Sequence, residues 1–289
     1  MNRIAFSMML FAIAMVFWHC APKENNPNTE QVIADSTITD SVVADDDLLN
    51  VNLQLRQDVN NPDLYEQRAK IYFDLGDIES AYADINRSLN LDSLNTNYYV
   101  TKAGFYFRQK DFLNAERTLS KGISKNPSHV QARLDMANLR LMAGQFPAAM
   151  VQINEILRDD MYNAKAYYLK GIAFFGLGDT TRAISSLRTA VEQDPDYEDA
   201  YFQLGLLHHF LNDRLAIDYY QTAIRLNPQN TDPYYNLGMF CQENDEQQLA
   251  INAYTDLLKV NPNYREAHFN LGYVHMNYLR LYRQAAKHF

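Results

Sequence analysis

Residues 164–195 read AKAYYLKGIAFFGLGDTTRAISSLRTAVEQDP, and they contain two apolar stripes separated by a turn. In its first half Tyr167, Gly171 and Phe174 recur at helical spacing and therefore share one face of a helix. A Gly-Asp turn follows, and a second apolar stripe then ends before Pro195, because proline cannot continue a helix. The stretch predicts one antiparallel helix pair with small residues where the two backbones approach. Such a pair cannot bury its own apolar face, so it needs similar pairs on either side.

The same pattern occurs seven times along the chain. The small residue of the first helix recurs every 34 residues, with one step of 33, and the small residue of the second helix keeps nearly the same step. Two independent columns with one shared step indicate a repeat. The first-helix small positions are Ala69, Ala103, Ala137, Gly171, Gly205, Gly238 and Gly272. The second-helix small positions are Ala81, Ala115, Ala149, Ala183, Ala216, Ala250 and Ala285.

A helix-turn-helix unit of 34 residues with this pattern resembles the tetratricopeptide repeat (TPR). The resemblance covers residues 62–289 and implies an all-α fold, an α-solenoid of about seven TPR helix-turn-helix repeats that forms a right-handed superhelix. Arg68, Lys102 and Lys170 stand where the family usually has leucine. We expect their stems to pack and their charged ends to reach water. The fifth copy lacks one residue near its turn, which predicts a locally altered helix crossing.

A third column lies three residues after each first-helix small position and is expected to join the core. Cys241 occupies it in the sixth copy and is predicted to be a buried, inert thiol. The column consists of Tyr72, Tyr106, Arg140, Phe174, His208, Cys241 and His275.

The N-terminal segment is an apolar run that stops at a cysteine. Residues 4–18 are uncharged and mostly apolar, and a run of fifteen is short for a membrane-spanning helix but fits a secretory signal. Ending at Cys20, it resembles a bacterial lipoprotein signal, which implies lipidation of Cys20 and export of the rest. Trp18-His19 departs from the small residue that the family places before the cysteine. An uncleaved anchor is therefore the alternative, with the same topology.

Four segments follow from these patterns. Residues 1–19 are predicted to be a signal peptide, 20–46 a disordered acidic tether, 47–61 an N-terminal capping helix, and 62–289 the TPR array, with its last repeat truncated. In the capping helix, Asp47 is the expected N-cap, and the expected apolar residues include Leu48, Leu49, Leu55 and Val59.

The tether carries most of the chain's negative charge. Residues 21–50 hold seven acids and one base, a net of −6, within a chain whose net charge is −9. A segment of this composition buries too little apolar surface to offset the entropy lost on ordering. We expect it to hold the array away from the membrane, with docking of Ile38 or Val42-Val43 on the array as the alternative.

The sequence offers little catalytic chemistry. A net charge of −9 argues against nucleic-acid binding, and two cysteines cannot form a disulfide framework. No phosphate-binding loop, His-Glu-x-x-His pair or Gly-x-Ser-x-Gly elbow is present. His268 and His275 share a helix face, where core packing is the prediction and metal binding the alternative. We therefore predict no enzymatic activity, no metal and no cofactor.

The resemblance implies that the first helices line a concave groove. Three register positions of each first helix would face it, and the middle one, commonly Asn in the family, is apolar here from the fourth copy onward. A partner with hydrophobic anchors is the predicted occupant, and a segment of this chain or burial by curvature is the alternative. The predicted partner-groove residues are Leu134, Asn138, Tyr168, Ile172, Phe175, Phe202, Leu206, His209, Tyr235, Met239, Phe269, Tyr273 and Met276.

These features predict a protein–protein interaction scaffold of a bacterial cell envelope, periplasmic or on the cell surface. It is expected to be membrane-anchored through an N-terminal lipid or signal anchor and to bind a peptide or helix of an envelope protein. One alternative is a self-associating structural protein, a homo-oligomer through the open C-terminal repeat, where Tyr278, Leu281, Tyr282 and Phe289 are apolar. Another is an adaptor that regulates an envelope enzyme.

Overall fold

The structure is a computed structural model that describes residues 46–278 and 280–287. The predictions for the signal peptide, Cys20, the tether up to residue 45, and Phe289 lie outside the described residues. Within them the chain forms fifteen α-helices and no strand. Helix α1 spans 46–57. The others follow in pairs, α2 (Pro62–Asp74) and α3 (Ile78–Leu91), α4 (Thr96–Arg108) and α5 (Phe112–Lys125), α6 (Val130–Met142) and α7 (Phe146–Asp159), α8 (Ala164–Gly176) and α9 (Thr180–Gln193), α10 (Glu198–Phe210) and α11 (Leu215–Leu226), α12 (Thr231–Glu243) and α13 (Gln247–Val260), and α14 (Arg265–Asn277) and α15 (Tyr282–Ala285).

Capping residues explain where many of these helices begin. The Asn61 side chain accepts a hydrogen bond from the Asp63 backbone N–H at the start of α2, and asparagine caps α4, α8 and α12 in the same way. Asp77 accepts from the Ser80 N–H at the start of α3, and aspartate also caps α5 and α9. An asparagine cap on the first helix and an aspartate cap on the second therefore define the helix starts in the first, second and fourth pairs.

The turn inside each pair holds one residue with a left-handed backbone. Glycine fills this position at Gly76, Gly144 and Gly178, where φ is 83°, 69° and 81°. In the fifth copy Asn212 takes it with φ 54°, and asparagine tolerates this conformation better than most residues. The following helix, α11, has 12 residues where α9 has 14. The altered crossing of this pair stays a prediction.

The chain divides into two compact units, Met1–Asp159 and Asp160–Phe289. Unit 1 contains α1 to α7, and unit 2 contains α8 to α15. In both units each first helix packs against the second helix of its own pair, and that second helix packs against the next pair of the same unit. This nearest-neighbour packing, together with the all-helical architecture, makes the fold an α-solenoid.

Helix α1 packs through part of the predicted apolar face, because Leu55 is buried and Leu48 is half-buried. Val51 and Leu55, four residues apart on one helix face, are 0% and 7% exposed. Leu49 and Val59 are 59% and 57% exposed, so the prediction of an apolar face through these two residues is wrong. Leu49 lies off the packed face, and Val59 lies beyond the end of the helix.

Arg68 also differs from its prediction, because its charged end is held inside unit 1. Its Nε lies 2.6 Å and its Nη2 2.8 Å from the two carboxylate oxygens of Asp84, and its Nη1 lies 2.6 Å from Asn52 Oδ1. The hydrogen bond to Asp84 raises the pKa of the Arg68 guanidinium. Lys102 instead places its Nζ 2.7 Å from Asn86 Oδ1 at the surface. A bidentate partner therefore explains why an arginine is tolerated where the family has leucine.

The small positions are buried, as the repeat pattern predicted, and several of those in the first helices lie close to a side chain of the second helix. Ala69 shares a core cluster with Ile85, and Ala103 shares one with Leu119. A Cβ added to Gly171 would lie 2.6 Å from Leu187 Cγ. The same addition to Gly205 and Gly238 would meet Tyr220 at 2.6 Å and Tyr254 at 2.4 Å, so the facing tyrosine rings leave no room for a Cβ at these two positions.

Candidate functional site

The inner face is defined here as the side of each unit on which successive first helices approach one another. In unit 1 the first helices α2, α4 and α6 are in contact in sequence, and in unit 2 α10 touches α12. The predicted groove residues lie on the first helices α6, α8, α10, α12 and α14. Leu134 and Asn138 belong to unit 1, and the other predicted groove residues belong to unit 2.

The predicted groove residues of unit 2 differ widely in exposure. Ile172 and Phe202 are each 8% exposed, and Phe202 packs beside the buried Tyr220 ring at 6.1 Å between centroids. These two support the face from beneath. Tyr168, Phe175, Leu206, His209, Tyr235 and Met239 are half-buried. The three on α14, Phe269, Tyr273 and Met276, are 60%, 37% and 38% exposed. Contact of any of them with a partner stays a prediction.

Several half-buried aromatic rings are held by neighbouring rings. Tyr168 lies 5.2 Å from Tyr197, and Tyr235 lies 5.6 Å from Tyr264, where both partners are the residues just before the next first helix. Phe175 meets Phe210 edge to face at 6.1 Å. Rings fixed in this way lose little side-chain entropy when a partner binds.

A hydrogen-bonded polar layer lies among these apolar groups. This layer was not predicted from the sequence. His209 Nδ1 lies 3.2 Å from the Tyr220 hydroxyl, and its Nε2 lies 3.1 Å from a Glu243 carboxylate oxygen. The Tyr254 hydroxyl lies 3.3 Å from Gln242 Oε1 and accepts from Asn270 Nδ2 at 3.2 Å. Burial raises the pKa of both tyrosine hydroxyls, so they stay protonated near neutral pH. The inner face of unit 2 is therefore amphipathic.

Unit 1 carries a pocket on its inner face. Its volume is about 240 Å³, and its buried wall comes from Ala103, Ala115, Leu119 and Leu139. More exposed residues complete the lining, namely Gly104, Phe107, Arg108, Asp135 and Asn138. Leu134 is only 6% exposed and lies outside this lining. Gly104 and Phe107 lie one and four residues after Ala103, as the predicted groove residues Ile172 and Phe175 do after Gly171, but the predicted site omitted both.

Other candidate groups have local structural roles. His268 Nε2 lies 3.0 Å from the Pro262 carbonyl oxygen. Cys241 is a free cysteine with 0% exposure, as predicted, and burial raises the pKa of its thiol to about 11. Across the described part of the chain, no three His, Cys, Asp or Glu side chains gather closely enough to hold a metal ion. No helix within 46–278 and 280–287 is both long and apolar enough to span a bilayer.

Comparison with protein families identifies the repeat. Models of the tetratricopeptide repeat match residues 62–93, 106–171, 198–230, 219–252 and 242–277, and a model described as TPR repeat matches 171–211. The chain belongs to the TPR family. Members of this family are typically non-enzymatic interaction modules, so family and fold support a protein–protein interaction scaffold.

Individual relatives are distant. The DnaJ homolog subfamily C member 3 of Rattus norvegicus is 25% identical over 171 residues, which cover 54% of this chain and 34% of that protein. The chain thus spans about a third of the length of this relative. A chain of the APC/C hetero-tetramer Cut9–Hcn1 is 18% identical with a TM-score of 0.61, covering 85% of this chain and 48% of that one. PilF of Pseudomonas aeruginosa is 17% identical with a TM-score of 0.59, covering 68% and 89%. These two structures share the fold.

Proposed function

We propose that this protein is an exported, membrane-tethered TPR scaffold that binds a peptide or helix of an envelope protein on the inner face of unit 2. One observation carries the proposal. Phe269, Tyr273 and Met276 lie on one side of α14 with 60%, 37% and 38% of their surface exposed. Exposed apolar groups at helical spacing are a typical docking surface for a partner side chain.

The chemistry of the surrounding residues favours a protein partner. Aromatic side chains and methionine are enriched at protein interfaces, and rings such as Tyr168 and Tyr235 are already oriented by their neighbours. Beside them, His209 and Glu243 offer hydrogen-bonding groups to a peptide backbone or a polar side chain. Such a surface suits a helix or extended segment with a few apolar anchors.

Charge placed in this surface is expected to weaken partner capture. Leu206 and Met239 are half-buried and lie at the same register position of α10 and α12. With both changed to glutamate, an apolar anchor would face a carboxylate, and we expect pull-down of envelope partners to fall at least tenfold. Leu215→Glu is the control, because Leu215 is 47% exposed and is not a predicted groove residue. Equal capture by the double variant, with an unchanged melting temperature, contradicts the proposal.

Self-association is a second candidate. Tyr278, Leu281 and Tyr282 are 44%, 41% and 65% exposed. The Tyr278 ring lies 5.9 Å from the Tyr273 ring, so Tyr278 extends the apolar surface of α14. Light scattering of the purified chain separates the candidates. A mass that grows with concentration supports self-association, and a constant monomer mass supports an external partner.

Membrane tethering through Cys20 rests on the sequence of the N-terminal segment. In cells given labelled palmitate, we expect the wild-type chain to incorporate label and Cys20→Ala to lose nearly all of it. Cys241→Ala is the matched control, because Cys241 is buried and has no expected role in lipidation. Incorporation that survives Cys20→Ala excludes this cysteine as the attachment site.

A further inference from the structure

Gly104 is a glycine without a structural need. It lies inside α4, where glycine costs helix stability relative to alanine. A Cβ added to it meets nothing within 4 Å, and its φ is not left-handed. Gly238 differs because an added Cβ would collide with Tyr254, and Gly178 differs because its φ is 81°. A residue that weakens its helix without relieving a clash or a turn is a candidate for a functional role.

The absence of a side chain at Gly104 keeps the unit 1 pocket open. Gly104 is exposed and lines the pocket, whose buried wall is apolar. A cavity of about 150 Å³ with apolar walls accepts benzene, so about 240 Å³ is enough for one large apolar side chain. Leucine or a larger residue at position 104 would occupy this space.

The pocket is also preformed. Phe107 meets Phe112 edge to face at 5.6 Å, which fixes the aromatic wall. Arg108 is held by Asp74, 2.6 Å away, and lies over the Phe73 ring. Walls that are already ordered cost little entropy when a ligand enters.

The Asn138 side chain provides a polar group beside the apolar wall of the pocket. Asn138 lines the pocket and is half-buried. Among the residues that the structure describes, its side-chain amide has no hydrogen-bond partner. A primary amide offers both donors and an acceptor, the combination that pairs with a peptide bond.

We propose that this pocket, the Gly104 pocket, binds one large apolar side chain of a protein partner, of Leu, Met or Phe size. Asn138 hydrogen-bonds the adjoining peptide backbone. The inference rests on the proposed protein-binding function, but the Gly104 pocket lies in unit 1, whereas the proposed docking surface lies in unit 2.

Capped amino acids test the pocket directly on the full chain with 13C-labelled Ala and Leu methyl groups. N-acetyl-phenylalaninamide and N-acetyl-leucinamide at millimolar concentration are expected to shift the methyl signals of Ala103, Ala115 and Leu119. N-acetyl-glycinamide should leave them in place, and the remote Ala250 methyl should not respond to any probe. Unshifted pocket methyls at the solubility limit of both apolar probes overturn the proposal. Shifts caused by octanoate but by neither apolar amide also overturn it, because they indicate a lipid site.

Three variants sharpen the result. Gly104→Leu is expected to weaken binding of N-acetyl-phenylalaninamide at least tenfold, whereas Gly104→Ala keeps most of the pocket and its binding. Lys70→Leu places the same side chain at the same register position one repeat earlier, outside the pocket lining, and should bind as wild type does. Equal binding by Gly104→Leu with an unchanged helical circular dichroism spectrum refutes the pocket. If Gly104→Leu fails to fold, the proposal is still tested by the wild-type chain, which must bind the two apolar amides and not N-acetyl-glycinamide.

Partner capture by the two sets of variants distinguishes the Gly104 pocket from the docking surface of unit 2. Partner capture that survives Gly104→Leu and falls with the Leu206→Glu and Met239→Glu pair supports the unit 2 surface and refutes a role for the pocket in capture. The opposite result supports the pocket and contradicts the unit 2 surface.

Discussion

Replacing Gly238 with alanine is expected to lower the free energy of unfolding by about 2 kcal/mol. The new Cβ would lie 2.4 Å from Tyr254 Cε1 and 2.7 Å from both Cδ1 and Cζ. The ring cannot give way easily, because Tyr254 is fully buried and its hydroxyl is hydrogen-bonded to Asn270. Overpacking a dense core costs about 1–3 kcal/mol or more, and the better helix propensity of alanine offsets part of this loss.

Urea unfolding followed by circular dichroism measures this effect, and Gly104→Ala is its matched control. An added Cβ at Gly104 meets nothing within 4 Å, so that variant should be as stable as wild type or more stable by up to about 1 kcal/mol. Combining Gly238→Ala with Tyr254→Leu copies the Ala103 and Leu119 combination of the second repeat. We expect Gly238→Ala to cost less in the Tyr254→Leu background. Equal costs in both backgrounds would show that the two residues do not couple.

Changing Arg68 to leucine is expected to destabilise the chain by about 3 kcal/mol, although leucine is the usual residue of the family there. The Asp84 side chain is 9% exposed, and both of its carboxylate oxygens accept from Arg68. Without the guanidinium a buried carboxylate loses its partner, and this costs more than the added apolar contact returns.

The double variant Arg68→Leu with Asp84→Ala is expected to recover most of this stability. It copies the sixth repeat, where Leu237 and Ala253 occupy the same register positions and are 6% and 4% exposed. Thermal melts of the wild type, both single variants and the double variant form a complete cycle. A double variant no more stable than Arg68→Leu alone would mean that the loss does not come from the unpaired carboxylate.

The 34-residue spacing of the small residues predicted the helix pairs correctly. A single apolar column, however, accounts for only part of the core. The predicted core column lies three residues after each first-helix small position, and Phe174, His208 and Cys241 are buried there. The other four residues of the column are only half-buried, namely Tyr72, Tyr106, Arg140 and His275. A second buried column, two residues after each small position, was missed. It includes Phe105, Leu139, Ala173, Leu207, Phe240 and Val274. A first helix packs both on its own partner and on the preceding pair, so it buries more than one stripe.

The candidate site was less predictable from the sequence. The exposure of a side chain depends on its neighbours in the fold, and its position in the repeat does not reveal them. Ile172 and Met239 share one register position, yet Ile172 is 8% exposed and Met239 is half-buried. The polar layer joins Tyr220 of α11 to His209 of α10, and only the folded pair brings them together. Similarly, the role of Gly104 in a pocket becomes apparent only when the folded structure shows the open space around it.

The hydrogen bonds that link the helices of this chain join residues that are close to one another in the sequence. Arg68 and Asp84 are 16 residues apart, and His209 and Glu243 are 34 apart, about one repeat. Tyr98 reaches Asp63 over 35 residues. Low contact order of this kind lowers the entropic barrier to loop closure and favours rapid folding. Each helix pair can therefore form its core as soon as its own residues and those of one neighbour are available, while the rest of the chain is still unfolded.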